Sequence, residues 1–162
     1  KGGDPYVFGR GAEEVLYLKE KGIETEEIPG ISSAIAVPAM AGIPVTHRNV
    51  SRSFSVITGH TAPADESDVT ALHSDIKNSA AMDGTCVYLM GLTHLKEIAD
   101  TLMQEGKPAD TPAAVISGGF DGSYMAVYGT LRDIAEKTAK EGIESPAVIV
   151  TGDVVGFQEK LK

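Results

Sequence analysis

Cysteine is almost absent from this 162-residue chain. Cys86 stands alone, which excludes an internal disulfide and any metal site built from clustered cysteines. It lies in the strand-like run Thr-Cys-Val-Tyr-Leu-Met with no charged neighbour in sequence, so it reads as a small buried hydrophobe rather than a nucleophile. Long apolar runs are missing too, so no membrane partner is expected. Positive charge is scarce: 14 Lys and Arg stand against 23 Asp and Glu, a net charge of −9 that argues against nucleic-acid binding. No Gly-x-Ser-x-Gly elbow and no glycine-rich loop ending in Gly-Lys-Ser/Thr occur. Gly9-Arg10-Gly11 is followed by Glu14 where a dinucleotide fingerprint needs a third glycine. His47, His60, His73 and His94 are scattered, without the helix-face spacing of a metal site. Hydrolase, Walker-type and zinc-enzyme readings lose their main support, and no metal is expected.

What positive charge there is falls unevenly. Residues 1–60 hold six basic and seven acidic side chains, while residues 61–162 hold eight and sixteen. Arg10, Arg48 and Arg52, with His47 and His60 close by, gather in the basic part. A locally basic mouth on an acidic protein suits an anionic small molecule. Arginines that merely solvate one face account for the same charges.

The first eleven residues, Lys1-Gly-Gly-Asp-Pro-Tyr-Val-Phe-Gly-Arg-Gly11, are the most informative. Adjacent glycines let a ligand approach bare main chain. Asp4 offers a carboxylate to ribose hydroxyls or to the next turn, and Pro5 pins the exit. Such a loop normally follows a strand, so the chain reads as the remainder of a longer protein. The single cysteine suits a cytoplasmic protein, in which the sequon Asn49-Val50-Ser51 is chance.

Periodicity then alternates. Gly11 to Lys21 reads as a helix with Ala12, Val15 and Leu16 on one face, stopped by Gly22. Ile23 to Ile28 reads as a short strand. Ser32 or Ser33 caps a small-residued helix, Ala34 to Ala41, which Pro38 bends and Gly42 ends. Strands are predicted at Phe54–Thr58, Thr85–Met90, Ala113–Ile116, Tyr124–Tyr128 (turning at Gly129) and Ala147–Val150. Helices are predicted around Asp68–Asp75, from a Thr93 cap through Leu95, Ile98, Ala99, Leu102 and Met103, and from a Thr130 cap through Leu131, Ile134, Ala135 and Thr138. The pattern is α/β, with ligands expected at loops beyond strand ends. The weakest join, near 48–53, divides it into two lobes, residues 1–52 and 53–162.

Several blocks in order carry a resemblance: Gly2-Gly3-Asp4-Pro5-Tyr6-Val7-Phe8-Gly9-Arg10-Gly11, Val37-Pro38 through Ala41-Gly42-Ile43-Pro44-Val45-Thr46-His47-Arg48, Thr58-Gly59-His60, and Tyr88-Leu89-Met90-Gly91-Leu92. Together they resemble the tetrapyrrole methylases, over nearly the whole chain. The resemblance implies two α/β lobes, the first incomplete here, with S-adenosylmethionine in the cleft between them and S-adenosylhomocysteine as product. It implies a homodimer and an anionic tetrapyrrole substrate, with two methyl groups placed on uroporphyrinogen III to give precorrin-2 for siroheme and cobalamin. By position in the motifs, Gly2, Gly3, Asp4, Val7, Ser32, Ser33, Met90 and Gly119 would bind the cofactor. Arg10, His47 and Arg48 would meet the substrate's carboxylates. Met90 also suits a strand-end core position, and Ser32 and Ser33 suit plain helix caps.

The family's upstream strand, with its proposed acid–base residues, has no counterpart, so catalytic groups are expected upstream of Lys1 and the chain is expected to be inactive as given. Its first lobe is expected to expose apolar edges that favour association. Gly119-Phe120 replaces the Gly-Thr usual in the family, an aromatic able to reshape the pocket. Two other readings compete: a methyltransferase acting on a later corrin intermediate, and a non-catalytic binding or dimerisation module.

Overall fold

The computed structural model describes residues 2–59, 66–118 and 123–161. Five strands form one sheet: β1 (Phe54–Thr58), β2 (Thr85–Leu89), β3 (Pro112–Ser117), β4 (Met125–Thr130) and β5 (Ala147–Thr151). Their order is β1-β2-β5-β3-β4. β1 and β2 are parallel, and β5 slots antiparallel between β2 and β3. The helices are α1 (Gly11–Glu20), α2 (Ser33–Met40), α3 (Glu66–Ala80), α4 (Leu95–Gln104), α5 (Ile134–Glu141) and the short α6 (Gln158–Leu161).

Strand alternation sorts the side chains onto two faces. Cys86, Tyr88, Ala113, Val115 and Ile149 face α3, α4 and α5, where Ile76, Ile98, Leu102 and Ile134 meet them. Val87, Leu89, Ala114, Ile116, Val148 and Val150 face the other way, onto Ala34, Val37 and Ala41 of α2, Ile43, and Val154 and Val155. The sheet is therefore sandwiched, and α2, from the predicted first lobe, closes one of its faces. The predicted Phe54–Thr58 strand and the core positions of α4 form as expected.

The small residues of α2 explain its close seat on the sheet, and Pro38 sits inside it without ending it. Its end is set by Gly42 (φ 77°). The Gly42 N–H donates to the Ala39 carbonyl, and the Ile43 N–H to that of Pro38. This is the double hydrogen bond of a glycine-terminated helix. α1 ends in the same way at Gly22.

Five expectations are corrected. Residues 23–28 form no strand: among the described residues no strand lies beside them to take their backbone groups, and Ile23 and Ile28 are exposed. The predicted apolar face of α1 is largely uncovered: Ala12 and Leu16 are exposed and Val15 is only half-buried. Thr93 lies inside a one-turn 3-10 segment, Leu92–His94, and Asp133 rather than Thr130 opens α5. There the Asp133 carboxylate accepts from the Thr130 N–H at 2.7 Å, drawing Thr130 back into a turn. β4 also runs through Gly129 to Thr130, because Ala113 pairs with Gly129 and Pro112 with Thr130. Among the described residues no helix is long and apolar enough to cross a membrane.

Cys86 is buried, and burial pushes its thiol above the ordinary value. Beside it the Tyr88 hydroxyl meets Ser79 Oγ at 2.7 Å. Ser79 gives its own proton to the Ile76 carbonyl, so Tyr88 is the donor. Burial raises Tyr88 strongly as well. This polar pair is satisfied within the core, as a buried hydroxyl must be.

Candidate functional site

The antiparallel insertion of β5 decides where the site lies. It brings the end of β2, the end of β3 and the start of β5 to one end of the sheet. There the chain opens a cavity of about 770 Å³. Its floor is apolar and buried: Val37, Leu89, Ile116 and Val148 are each below 10% exposed. The loop of residues 2–9 forms one wall, Met90 to Thr93 another, and Ser145 to Ala147 a third. Close approach at this end requires glycine. The Gly59 N–H donates to the Leu89 carbonyl at 2.7 Å, and a Cβ on Gly59 would lie 2.4 Å from the Gly91 Cα.

Of the predicted cofactor residues, Gly2, Val7, Ser33 and Met90 line this cavity. A Cβ on Gly2 would meet nothing within 4 Å, so its bare main chain faces open space. Gly3, Asp4 and Ser32 stand outside the lining, as the frame of the wall. Gly3 turns the chain at φ 73°. The Asp4 carboxylate accepts from the Tyr6 N–H at 2.9 Å and from the Gly30 N–H at 3.2 Å. The Asp4 N–H in turn donates to Ser32 Oγ at 3.1 Å. Ser32 thus opens α2 by position, but its hydroxyl is used across the gap instead of capping the helix. Gly119, with Phe120 and His60, lies outside the described residues.

The predicted substrate residues are separated. Arg10 is exposed and gripped by Glu13, with Nε 3.0 Å and Nη2 2.6 Å from its carboxylate oxygens. That hydrogen bond raises its pKa further. His47 and Arg48 lie elsewhere, in a second cavity of about 580 Å³ shared with Thr46, Asn49, Ser51 and Arg52. A tight turn builds it: the His47 N–H donates to the Ser51 carbonyl, and the Ser51 N–H to that of His47, both at 2.9 Å. Ser51 Oγ reaches Thr85 Oγ1 at 2.9 Å, anchoring the turn to the start of β2. The His47 ring rests on Phe157 with centroids 4.2 Å apart. Among the described residues, no acidic side chain lines this cavity. The apolar cleft and the basic cavity therefore sit at opposite ends of β2, about 13 Å of strand apart.

Phe8, Thr93 and the Ser145-Pro146 turn join the cleft although none of them was expected there from the sequence. Pro146 directly precedes the predicted strand Ala147–Val150. Its place in the cleft follows from strand order, which local patterns do not carry.

The family model of tetrapyrrole (corrin/porphyrin) methylases matches residues 1–120. A uroporphyrinogen-III C-methyltransferase of Methanocaldococcus jannaschii is 48% identical over 159 residues, covering 96% of this chain and 62% of that protein. An S-adenosyl-L-methionine-dependent uroporphyrinogen III methyltransferase of Methanosarcina barkeri is 47% identical, covering 99% and 62%. The chain thus spans less than two thirds of these relatives. Among solved structures, a uroporphyrin-III C-methyl transferase of Thermus thermophilus, complexed with S-adenyl homocysteine, superposes with a TM-score of 0.79 at 32% identity, covering 96% of this chain and 65% of that one.

Proposed function

The chain belongs to the tetrapyrrole (corrin/porphyrin) methylases, and from that membership we propose that it carries the methyl-donor cleft of an S-adenosylmethionine-dependent C-methyltransferase acting on uroporphyrinogen III. One observation carries the reading: a cleft of about 770 Å³ at the strand ends, lined by Gly2, Val7, Ser33 and Met90. The residues fit a nucleoside that is apolar on its faces and polar at its edges. Gly2 leaves main chain open where a side chain would fill the space. Ser33 presents a hydroxyl beside the start of α2. Val7, Val37 and Met90 supply apolar walls.

S-adenosylmethionine, when bound, supplies a methyl group already activated on sulfur, so the protein's part is alignment and exclusion of water. Val37, Leu89 and Ile116 keep the floor dry. Asp4 and Ser32 hold the loop of residues 2–9 against the 28–31 turn, fixing the wall that aligns the donor. Arg48 and His47, with Arg52, form the basic surface of the chain and suit the carboxylates of a tetrapyrrole. The lobe division at 52/53, the homodimer and the placement of Arg10 toward substrate belong to the same proposal.

Calorimetry with S-adenosylhomocysteine tests the reading. One equivalent should bind per chain, and an absence of binding would overturn the cleft assignment. Anaerobic incubation with the methyl donor and either uroporphyrinogen III or a later corrin intermediate tests the acceptor. Methyl transfer, where it occurs, is expected to be confined to uroporphyrinogen III. The relatives' names favour that acceptor.

A further inference from the structure

Among the described residues, four that are not glycine have left-handed backbone: Phe8 (φ 53°), Arg10 (56°), Asn49 (70°) and Met90 (56°). In that region the Cβ crowds the carbonyl oxygen, so a bulky residue persists there only where its surroundings impose it. Two of the four have local explanations. Asn tolerates the conformation, and Arg10 opens α1 with its side chain held by Glu13. Phe8 and Met90 are neither of a tolerant residue type nor held by their own side chains. They lie far apart in sequence yet line the same cleft.

What holds each of them is visible. The Gly11 N–H donates to the Pro5 carbonyl at 2.9 Å, and a Cβ on Gly9 would lie 2.6 Å from the same oxygen. The loop is therefore wound on Pro5, with Phe8 at its crest. Met90 is held by the close approach of Gly59 to Gly91 and by the bond from Gly59 to the Leu89 carbonyl. Both side chains remain about half exposed, 46% for Phe8 and 50% for Met90, above the buried floor. Two strained positions that spend their strain on presenting large apolar groups to one cavity have a ligand as their natural partner.

We propose that Phe8 is a ligand-binding residue of the cleft, presenting its ring as the flat face on which the planar base of the nucleoside methyl donor stacks. The proposal rests on the reading of the cleft as the methyl-donor site. An aromatic ring suits a purine because two π-faces match in shape and exclude water from both. Val7 and Met90 supply apolar bulk, whereas Phe8 is the one aromatic side chain among the described residues of the lining.

The test compares Phe8→Gly, Phe8→Leu and Phe8→Tyr by calorimetry with S-adenosylhomocysteine and with adenosine. Glycine accepts φ 53° freely, so Phe8→Gly should melt no lower than the unaltered chain while its dissociation constants for both ligands rise about tenfold. Phe8→Leu keeps apolar bulk without a flat face and should also weaken both, whereas Phe8→Tyr should bind like the unaltered chain. Unchanged affinity in Phe8→Leu or Phe8→Gly, or a loss in Phe8→Tyr as large as in Phe8→Leu, would overturn the role of Phe8. Failure of the unaltered chain to bind either ligand would instead overturn the reading of the cleft, and the proposal with it.

Discussion

Residues 2–31 and residues 33–161 obey the same side-chain patterns but reach different ends. In the second region the apolar faces of the central strands find partners. Strand faces alternate onto α2 on one side and onto α3, α4 and α5 on the other, leaving Ile98, Ile116, Ile149 and Val150 at 1% exposure or less. In the first, Leu16, Tyr17, Ile23, Ile28 and Ile31 are each more than half exposed. The first region is held by hydrogen bonds, with Asp4 and Ser32 tying loop to turn. Periodicity states which face a segment can bury. Whether it does depends on a neighbour that sequence periodicity does not name.

The sharpest way to break this comparison is a set of three matched truncations. Ile149→Ala removes a core side chain and should destabilise the chain by about 2–5 kcal/mol. Ile28→Ala or Ile31→Ala should stay within about 0.5 kcal/mol. Denaturant melts of the three variants measure it, and a similar loss for Ile28→Ala would mean that the first region is packed in solution.

Next in size is the clasp. Asp4→Ala removes the acceptor of the solvent-exposed Tyr6 and Gly30 N–H groups, an effect of about 1.5 kcal/mol confined to the first region. Hydrogen exchange at those two amides should accelerate while the core amides of β2 and β5 keep their protection. S-adenosylhomocysteine affinity should fall with it, because the cleft wall is unmoored.

A smaller effect belongs to the second region. Asp133→Ala removes the acceptor that draws in Thr130 and the partner of Lys137, whose Nζ is 2.7 Å away. The cost should be about 1 kcal/mol. The hydrogen bond from Lys137 and that from the Thr130 N–H hold the Asp133 carboxyl below its ordinary value. Its folded pKa is therefore lower than its unfolded one. The contribution is full above the unfolded carboxylate range and fades as pH falls through the folded value. Acid melts of Asp133→Asn should be less steep there than those of the unaltered chain. The smallest expected signal is chemical: Cys86 should not react with a thiol reagent until the chain unfolds, and rapid labelling of the native chain would contradict its burial.

Much of the fold was legible because its cues are local. The glycine stops at Gly22 and Gly42 depend on residues within one turn, and the short apolar runs Ala113–Ile116 and Ala147–Val150 are visible in each strand alone. The strand order was not legible, since nothing local says that β5 enters between β2 and β3. The helix starts slipped for a related reason: Thr130 has the hydroxyl of a cap, but Asp133 competes for the same turn with a stronger acceptor. In the site, Gly2, Val7, Ser33 and Met90 reach the cleft, whereas Asp4 serves the backbone and Phe8 was passed over. The side chain of Phe8 resembles any core aromatic, and only its left-handed backbone and exposure mark it.

The account rests on the two ends of β2 having different tasks. The most direct measurement is the amide spectrum of the chain titrated with S-adenosylhomocysteine. Shifts should concentrate at Gly2, Phe8, Ser33 and Met90 and leave His47, Arg48 and Arg52 in place. Shifts centred on His47 to Arg52, with the cleft residues unmoved, would contradict it.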